Sequence, residues 1–312
     1  MADPIIVGID CGATKVMVQT AFFDRKLKRV TPGNTHFEYS YSDHSNWNEN
    51  FLPVNLDIQR SEYSDGSISL TEAELNQGGV IIETIQKAIS DTNTDSAGLC
   101  FPGIKDDKGV VIMANGPRIP DLVERIEGIE SLFNDSDCCV LGEWRSTVGK
   151  MQDCKNAIYI GGGTGIADGI ILDGKLIDFN RTEEAKRSWE LQLPDGSVES
   201  QLSPAGMINR NNKLFGSNIN SLVELSESDG CRAIFEKAIE AFSFLIQDRI
   251  DFFYINNSII EKIVIGQRLG AFLMNDNQEL GKMIKSSADI PIDFSSDRRT
   301  AALGAAWKKA CS

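Results

Sequence analysis

The sequence predicts an α/β protein built from two related lobes. A strand, glycine turn and returning strand near residues 5–22 are echoed near 157–172, and a further strand runs into glycine at Ile263–Gly266. The length, 312 residues, accommodates two domains of roughly 150 residues each. Short apolar runs alternate with helical runs, the pattern of layered α/β domains.

The elements are expected in this order. Ile5 to Asp10 reads as a short buried strand, Gly12-Ala13-Thr14-Lys15 as a tight turn, and Val16 to Phe22 as the returning strand. Phe37, Tyr39 and Tyr41 alternate with polar residues, as in a half-exposed strand. The rest of 32–70 reads as loops around short strands, either a substrate-side cap or a small core of its own aromatics. Thr71 and Glu74 form a capping box before a helix with an Ile81, Ile85 and Ile89 face. Ala97–Phe101 and Val110–Ile112 read as strands, and Cys138–Leu141 as a strand feeding a helix near Trp144–Val148. Ala157–Ile160 and Ile166–Leu172 flank a glycine run, and Asp173-Gly174 is a hairpin turn. Residues 226–253 form the longest helix, and Thr300–Lys309 the last one. The expected lobes are 1–135 and 136–296, with 297–312 packing back on the first.

Composition narrows the function. Hydrophobic residues at 41% and charged residues at 24% are globular values, against disorder. Acids outnumber bases 45 to 31, a net charge of -14, which disfavours a general nucleic-acid binder and leaves room for a local basic patch. No apolar run approaches membrane-spanning length and the first residues do not read as a signal peptide, so no membrane association and a cytoplasmic location are expected. Seven cysteines, an odd number without Cys-x-x-Cys, read as reduced thiols. Two histidines, His36 and His44, exclude a His-rich metal site and leave magnesium on carboxylates open.

The glycine turns carry the chemistry. A phosphoryl group needs close backbone N–H donors, and glycine permits that approach. In Gly8-Ile9-Asp10-Cys11-Gly12-Ala13-Thr14-Lys15, Thr14 adds a hydroxyl and Lys15 a positive charge; Asp10 is either a magnesium-positioning acid or an exposed hairpin acid. This is neither a Walker loop nor a dinucleotide fingerprint. Gly161-Gly162-Gly163-Thr164-Gly165 has four glycines in five residues, which packing alone does not predict. Gly266 ends the third strand, where an adenine ring can approach the backbone.

Taken together and in order, these turns resemble the actin-like ATPase (ribonuclease H-like) fold of sugar kinases, and more closely the ROK family of repressors, open reading frames and kinases. The segments that resemble its motifs are Gly8–Lys15, Phe101-Pro102-Gly103-Ile104 followed by Asp107, Gly109-Val110-Val111 and Asn115, then Gly163–Ile170, Ile263–Gly266 and Ala301–Ala306. The family usually has a second glycine where this chain has Ala13. The resemblance implies phosphoryl transfer from ATP, with Mg2+, to a hydroxyl of a sugar-like substrate. Gly12, Ala13, Thr14, Lys15, Gly163, Thr164, Gly165 and Gly266 would bind nucleotide, and Asp10 would organise the metal. Homodimers are common in the family. A family repressor is not expected, because no helix-turn-helix segment precedes residue 8.

The chain is expected to depart from the family at its catalytic aspartate, which normally follows an asparagine at a strand end. Aligned on the strand expected at Cys138–Leu141, the family asparagine matches Gly142 and the aspartate Glu143. Glu143 is then either a substituted base or an ordinary helix-start acid. Gly149-Lys150 would replace a family Gly-Glu, which brings an atypical or anionic acceptor into view. Asn115, Gly142, Glu184 and Glu199 are the expected substrate contacts. Zinc is not expected, because Glu183–Glu190 lacks the histidine and cysteines of the family's zinc loop. The alternative function is a catalytically inactive sugar or nucleotide sensor on the same scaffold.

Overall fold

A computed structural model describes residues 5–92, 94, 97–275 and 278–312. In chain order its elements are β1 (Ile5–Cys11), β2 (Lys15–Asp24), β3 (Arg29–Ser40), α1 (Leu56–Ser64), α2 (Glu72–Ser90), β4 (Ala97–Phe101), β5 (Ile104–Lys105), β6 (Val110–Ile112), α3 (Leu122–Arg125), β7 (Leu132–Asn134) and α4 (Asp135–Arg145). Next come β8 (Ala157–Gly162), β9 (Ile166–Leu172), β10 (Lys175–Leu176), β11 (Gln192–Leu193), β12 (Gly196–Ser197), α5 (Val198–Leu202), α6 (Pro204–Phe215) and α7 (Leu222–Glu227). The chain ends with α8 (Cys231–Ile255), β13 (Lys262–Gly266), α9 (Gln267–Leu273), α10 (Glu279–Ser286), β14 (Ile292–Phe294) and α11 (Thr300–Cys311).

The elements form two compact units, one running to Val148 and including Arg299–Ser312, the other Gly149–Arg298. The division thus falls after α4 rather than before it, because α4 packs on α11. In the first unit the sheet order is β3-β2-β1-β4-β7, an antiparallel meander extended by two strands parallel to β1. The second unit repeats this scheme as β10-β9-β8-β13-β14. The echo in the sequence is therefore a repeated topology: each glycine turn joins the first two strands of a sheet whose third strand follows by a hairpin and whose fourth and fifth strands arrive after helical segments.

Each unit has its own core. In the first, Val7, Ile9, Val18 and Leu99 pack with Val80, Ile81 and Ile85 of α2. In the second, Ile158, Ile160, Ile263 and Ile265 pack with Phe235, Phe242 and Leu245 of α8. The capping box forms: Glu74 N donates to Thr71 Oγ1 at 3.1 Å and Thr71 N to Glu74 Oε2 at 3.0 Å. Asp173 and Gly174 take φ of 49° and 70°, the left-handed pair of the tight hairpin.

Three expectations are corrected. Residues 138–141 are helical, because the strand comes earlier, at Leu132–Asn134, and Asn134 caps α4 by accepting from Asp137 N at 3.0 Å. Within 32–70 lies a helix, α1, whose largely polar face hid its period; Asn55 caps it, accepting from Asp57 N at 2.8 Å. The long helix begins only at Cys231, since Ser228-Asp229-Gly230 interrupts it and a Cβ at Gly230 would lie 2.3 Å from the Phe215 ring. Of the segment's aromatics, Phe37, Tyr39, Tyr41 and Trp47 pack on the first core, while Tyr63 is exposed.

Candidate active site

The carboxyl ends of β1, β4 and β7 lie side by side. The parallel ladders pair Asp10 with Cys100, and Phe101 with Asn134. Asp135 follows at once as the first residue of α4, where the helix N-terminus favours a carboxylate. In open α/β sheets this strand-end edge is where ligands bind. Asp10 accepts from the Cys100 thiol at 3.5 Å. Burial first, and then the charge of Asp135, raise its pKa from 3.8 to about 6. Two hard carboxylates near one another suit Mg2+, which takes one or two carboxylates and completes its shell with water and phosphate oxygens. Among the described residues no group of three or more His, Cys, Asp or Glu could hold a metal unaided.

Asp10 also gives a pH prediction. Its proton is held more tightly folded than unfolded, so its contribution to stability is fully present below about pH 4 and is lost as the pH rises through about 6. Ionised at pH 7, it costs up to about 3 kcal/mol. Asp10→Asn is expected to raise stability at pH 7 and to remove the decline between about pH 4 and 6, read by urea unfolding at several pH values. An unchanged decline would count against this reading of Asp10.

The structure moves the expected Asn–Asp position by eight residues. Asn134-Asp135 is an asparagine and aspartate at a strand end, whereas Gly142 and Glu143 lie about 12 Å further along the helix axis. Glu143 is fully buried within α4. Gly142 faces α11: a Cβ there would lie 1.8 Å from Thr300 O, so helix packing alone requires glycine at this position. The signal was in the sequence, since Asn134-Asp135 is itself the pattern sought; assigning the strand to 138–141 hid it.

Beside the first glycine turn lies a cavity of about 400 Å³. Gly12, Ala13, Thr14 and Asn115 line it, so the structure brings these four expected residues together. Gly12 N donates to Lys15 O at 2.9 Å, which closes the turn and leaves Ala13 and Thr14 exposed at its apex. Lys15 itself is ion-paired with Glu38. Trp47, Phe51, Phe101 and Met113 supply apolar wall, and among the described residues no lysine or arginine lines the cavity.

Two glutamines that sequence reasoning passed over hold its walls. Gln59, fully buried, accepts from Met113 N at 2.7 Å and donates to Met113 O at 3.0 Å and Val54 O at 2.6 Å. Gln77 accepts from Asn48 N at 3.1 Å and donates to Asn48 O at 3.2 Å. Each amide pairs with a backbone segment as a strand would. Arg118, just past Asn115, is buried and bidentate to Glu74 at 2.7 and 2.9 Å, and it also donates to Glu62 and to Ser69 O. This pinned arginine ties α1 and α2 to the cavity wall.

In the second unit Gly163 N donates to Gly165 O at 2.9 Å, and Thr164 is exposed at the apex. Packing accounts for more of these glycines than the sequence suggests. A Cβ would lie 2.8 Å from the Tyr159 ring at Gly161, 2.4 Å from Leu269 Cβ at Gly162, 2.5 Å from Glu199 Oε2 at Gly165 and 2.6 Å from the Tyr159 hydroxyl oxygen at Gly266. Glu199 accepts from Ile166 N at 2.8 Å and so braces the turn, while burial raises its pKa. Glu184 is exposed. Asp168, next to the turn, forms a buried pair with Arg249 at 2.7 Å.

No protein-family model matches the sequence, and no curated protein matches it. Solved structures do. The ROK hexokinase of Thermus thermophilus matches at 16% identity and TM-score 0.65, over 97% of each chain. A ROK-family glucokinase from Streptomyces griseus, solved with glucose and AMPPNP, matches at 17% and 0.58, over 99% of this chain and 100% of that one. A ROK-family transcriptional regulator, a homologue of the E. coli MLC protein, matches at 14% and 0.56, over 98% of this chain and 78% of that one. The fold is therefore that of the actin-like ATPases. Within that class it is the form carried by the ROK sugar kinases and their regulator relatives. Among the described residues no helix is long and apolar enough to cross a membrane.

Proposed function

We propose that the protein transfers the terminal phosphoryl group of ATP to a hydroxyl of a sugar or sugar-like acceptor. The observation that carries this reading is the placement of Asp10 and Asn134-Asp135 at the ends of the two strands that flank β4, in the unit where Gly12–Thr14 and Asn115 line one cavity. Asp135 accepts the proton of the attacking hydroxyl; as the first residue of α4, at a helix N-terminus, it is suited to that role. Asn115 offers both donor and acceptor to an acceptor hydroxyl. The glycine turns at Gly12–Lys15 and Gly163–Gly165 are the phosphate-binding segments, and Gly266 borders the adenosine. Asp10 would hold Mg2+, whose chemistry is to neutralise phosphate charge.

The test is Mg2+- and ATP-dependent product formation against a panel of sugars, amino sugars, sugar acids and cyclitols, read by product mass. Asn115→Ala is expected to raise the acceptor KM by about 10- to 100-fold with kcat within a few-fold. An unchanged KM would remove Asn115 from the acceptor site. The sensor reading keeps the support of the regulator's shared fold. Asn134-Asp135 at a strand end weighs against its main ground, a missing Asn–Asp pair, and ATP binding without product from the whole panel would favour it.

A further inference from the structure

One charged group at the strand ends has no part in the scheme above. Lys105 lies on β5, just after the chain turns back at Pro102-Gly103, where Gly103 has φ of 85°. Its ammonium reaches back to the end of β4, donating to Phe101 O at 2.7 Å and to Gly103 O at 2.6 Å. Phe101 is the ladder partner of Asn134, and its neighbour Cys100 is the partner of Asp10. The amine therefore sits on the middle one of the three strands whose flanking ends carry Asp10 and Asn134-Asp135. An ammonium has three donors, and only two are engaged. Among the described residues Lys105 forms no ion pair, and two carbonyl dipoles fix its place. Burial lowers its pKa, and the charge of Asp135 works the other way. An immobilised cation with one open donor, at the strand end between those of Asp10 and Asp135, is arranged for an anion.

We infer that Lys105 donates its third N–H to an oxygen of the phosphoryl group that is transferred. The inference rests on the kinase reading and adds to it a positive charge fixed by the protein where negative charge collects. Such a charge, preorganised and partly shielded from water, acts on the transition state more than on the bound nucleotide.

The experiment compares wild type, Lys105→Met and Lys105→Arg in turnover and in calorimetric binding of Mg-ATP and Mg-ADP. Lys105→Met is expected to lower kcat by about 100-fold, to weaken ATP by about 10-fold and to leave ADP within about threefold, because only ATP carries the phosphoryl group concerned. Lys105→Arg is expected to keep the preference for ATP over ADP. Equal losses for ATP and ADP, or turnover by Lys105→Met within about threefold of wild type, would overturn the assignment. Should Lys105→Met not fold, acetylation of wild type decides: ATP is expected to protect Lys105 and ADP not to, and equal labelling in both overturns it. A wild type that phosphorylates no acceptor counts against the kinase reading, and the assignment of Lys105 is then judged on ATP protection alone.

Discussion

Asp135→Asn is expected to lower kcat by about a thousandfold while ATP and acceptor still bind, because a positioned general base contributes roughly 10²- to 10⁴-fold. The substitution is nearly isosteric and leaves the start of α4 in place, with Asn134 still capping Asp137 N. It removes the one capacity an amide lacks, that of taking a proton from the attacking hydroxyl. Glu143→Gln makes the contrasting case. Glu143 is fully buried two helical turns further on, so its replacement is expected to leave kcat within about threefold and to act, if anywhere, on stability. Both variants are read by product mass under Mg-ATP, with melting temperatures recorded beside them. Retained turnover in Asp135→Asn, or lost turnover in a folded Glu143→Gln, would reverse the assignment and return the base to Glu143.

That contrast shows where the sequence was sufficient and where it was not. The strands and turns with strong local chemistry were legible: the capping box at Thr71 and Glu74, the Asp173-Gly174 hairpin, and the two glycine turns joining antiparallel strands. Each is set by contacts within a few residues. Cys138–Leu141 was misread because four apolar residues in a row fit a buried helix as well as a buried strand. The deciding feature, Asn134 as an N-cap, is a single side-chain hydrogen bond. The tertiary causes of glycine were equally hidden. Gly161, Gly162, Gly165 and Gly266 are crowded by Tyr159, Leu269 and Glu199, neighbours that the fold brings together. Lys105 lay in a loop-like stretch, and only the turn at Gly103 shows that its amine returns to the strand end. Local signals thus announce turns and caps; the residues that complete a site are placed by topology.

Gly142→Ala is expected to destabilise the first unit severely, by about 3 kcal/mol or more, the upper end of what overpacking costs. The added Cβ would lie 1.8 Å from Thr300 O and 2.8 Å from Thr300 Cα, backbone atoms that no rotamer change can move aside. The contact is mutual: a Cβ at Gly304 of α11 would lie 1.9 Å from Cys138 O of α4. The same helix crosses β1 and β4 just as closely, with Cβ positions at Gly8 and Gly98 only 1.7 and 2.2 Å from Ala302 O and Ala305 O. Four glycines therefore seat α11 against three elements, and relief at one forces α11 off the others. Two of those elements, β1 and β4, carry Asp10 and the carbonyl that holds Lys105, while α4 begins with Asp135. Loss of stability and loss of turnover are thus expected together in Gly142→Ala, with turnover recovering at low temperature where the fold is retained. Urea unfolding and activity on one preparation separate this from a substrate contact. A Gly142→Ala protein of wild-type stability with a raised acceptor KM would make Gly142 a substrate residue; a large loss of stability with unchanged KM in the folded fraction assigns it to the seat of α11.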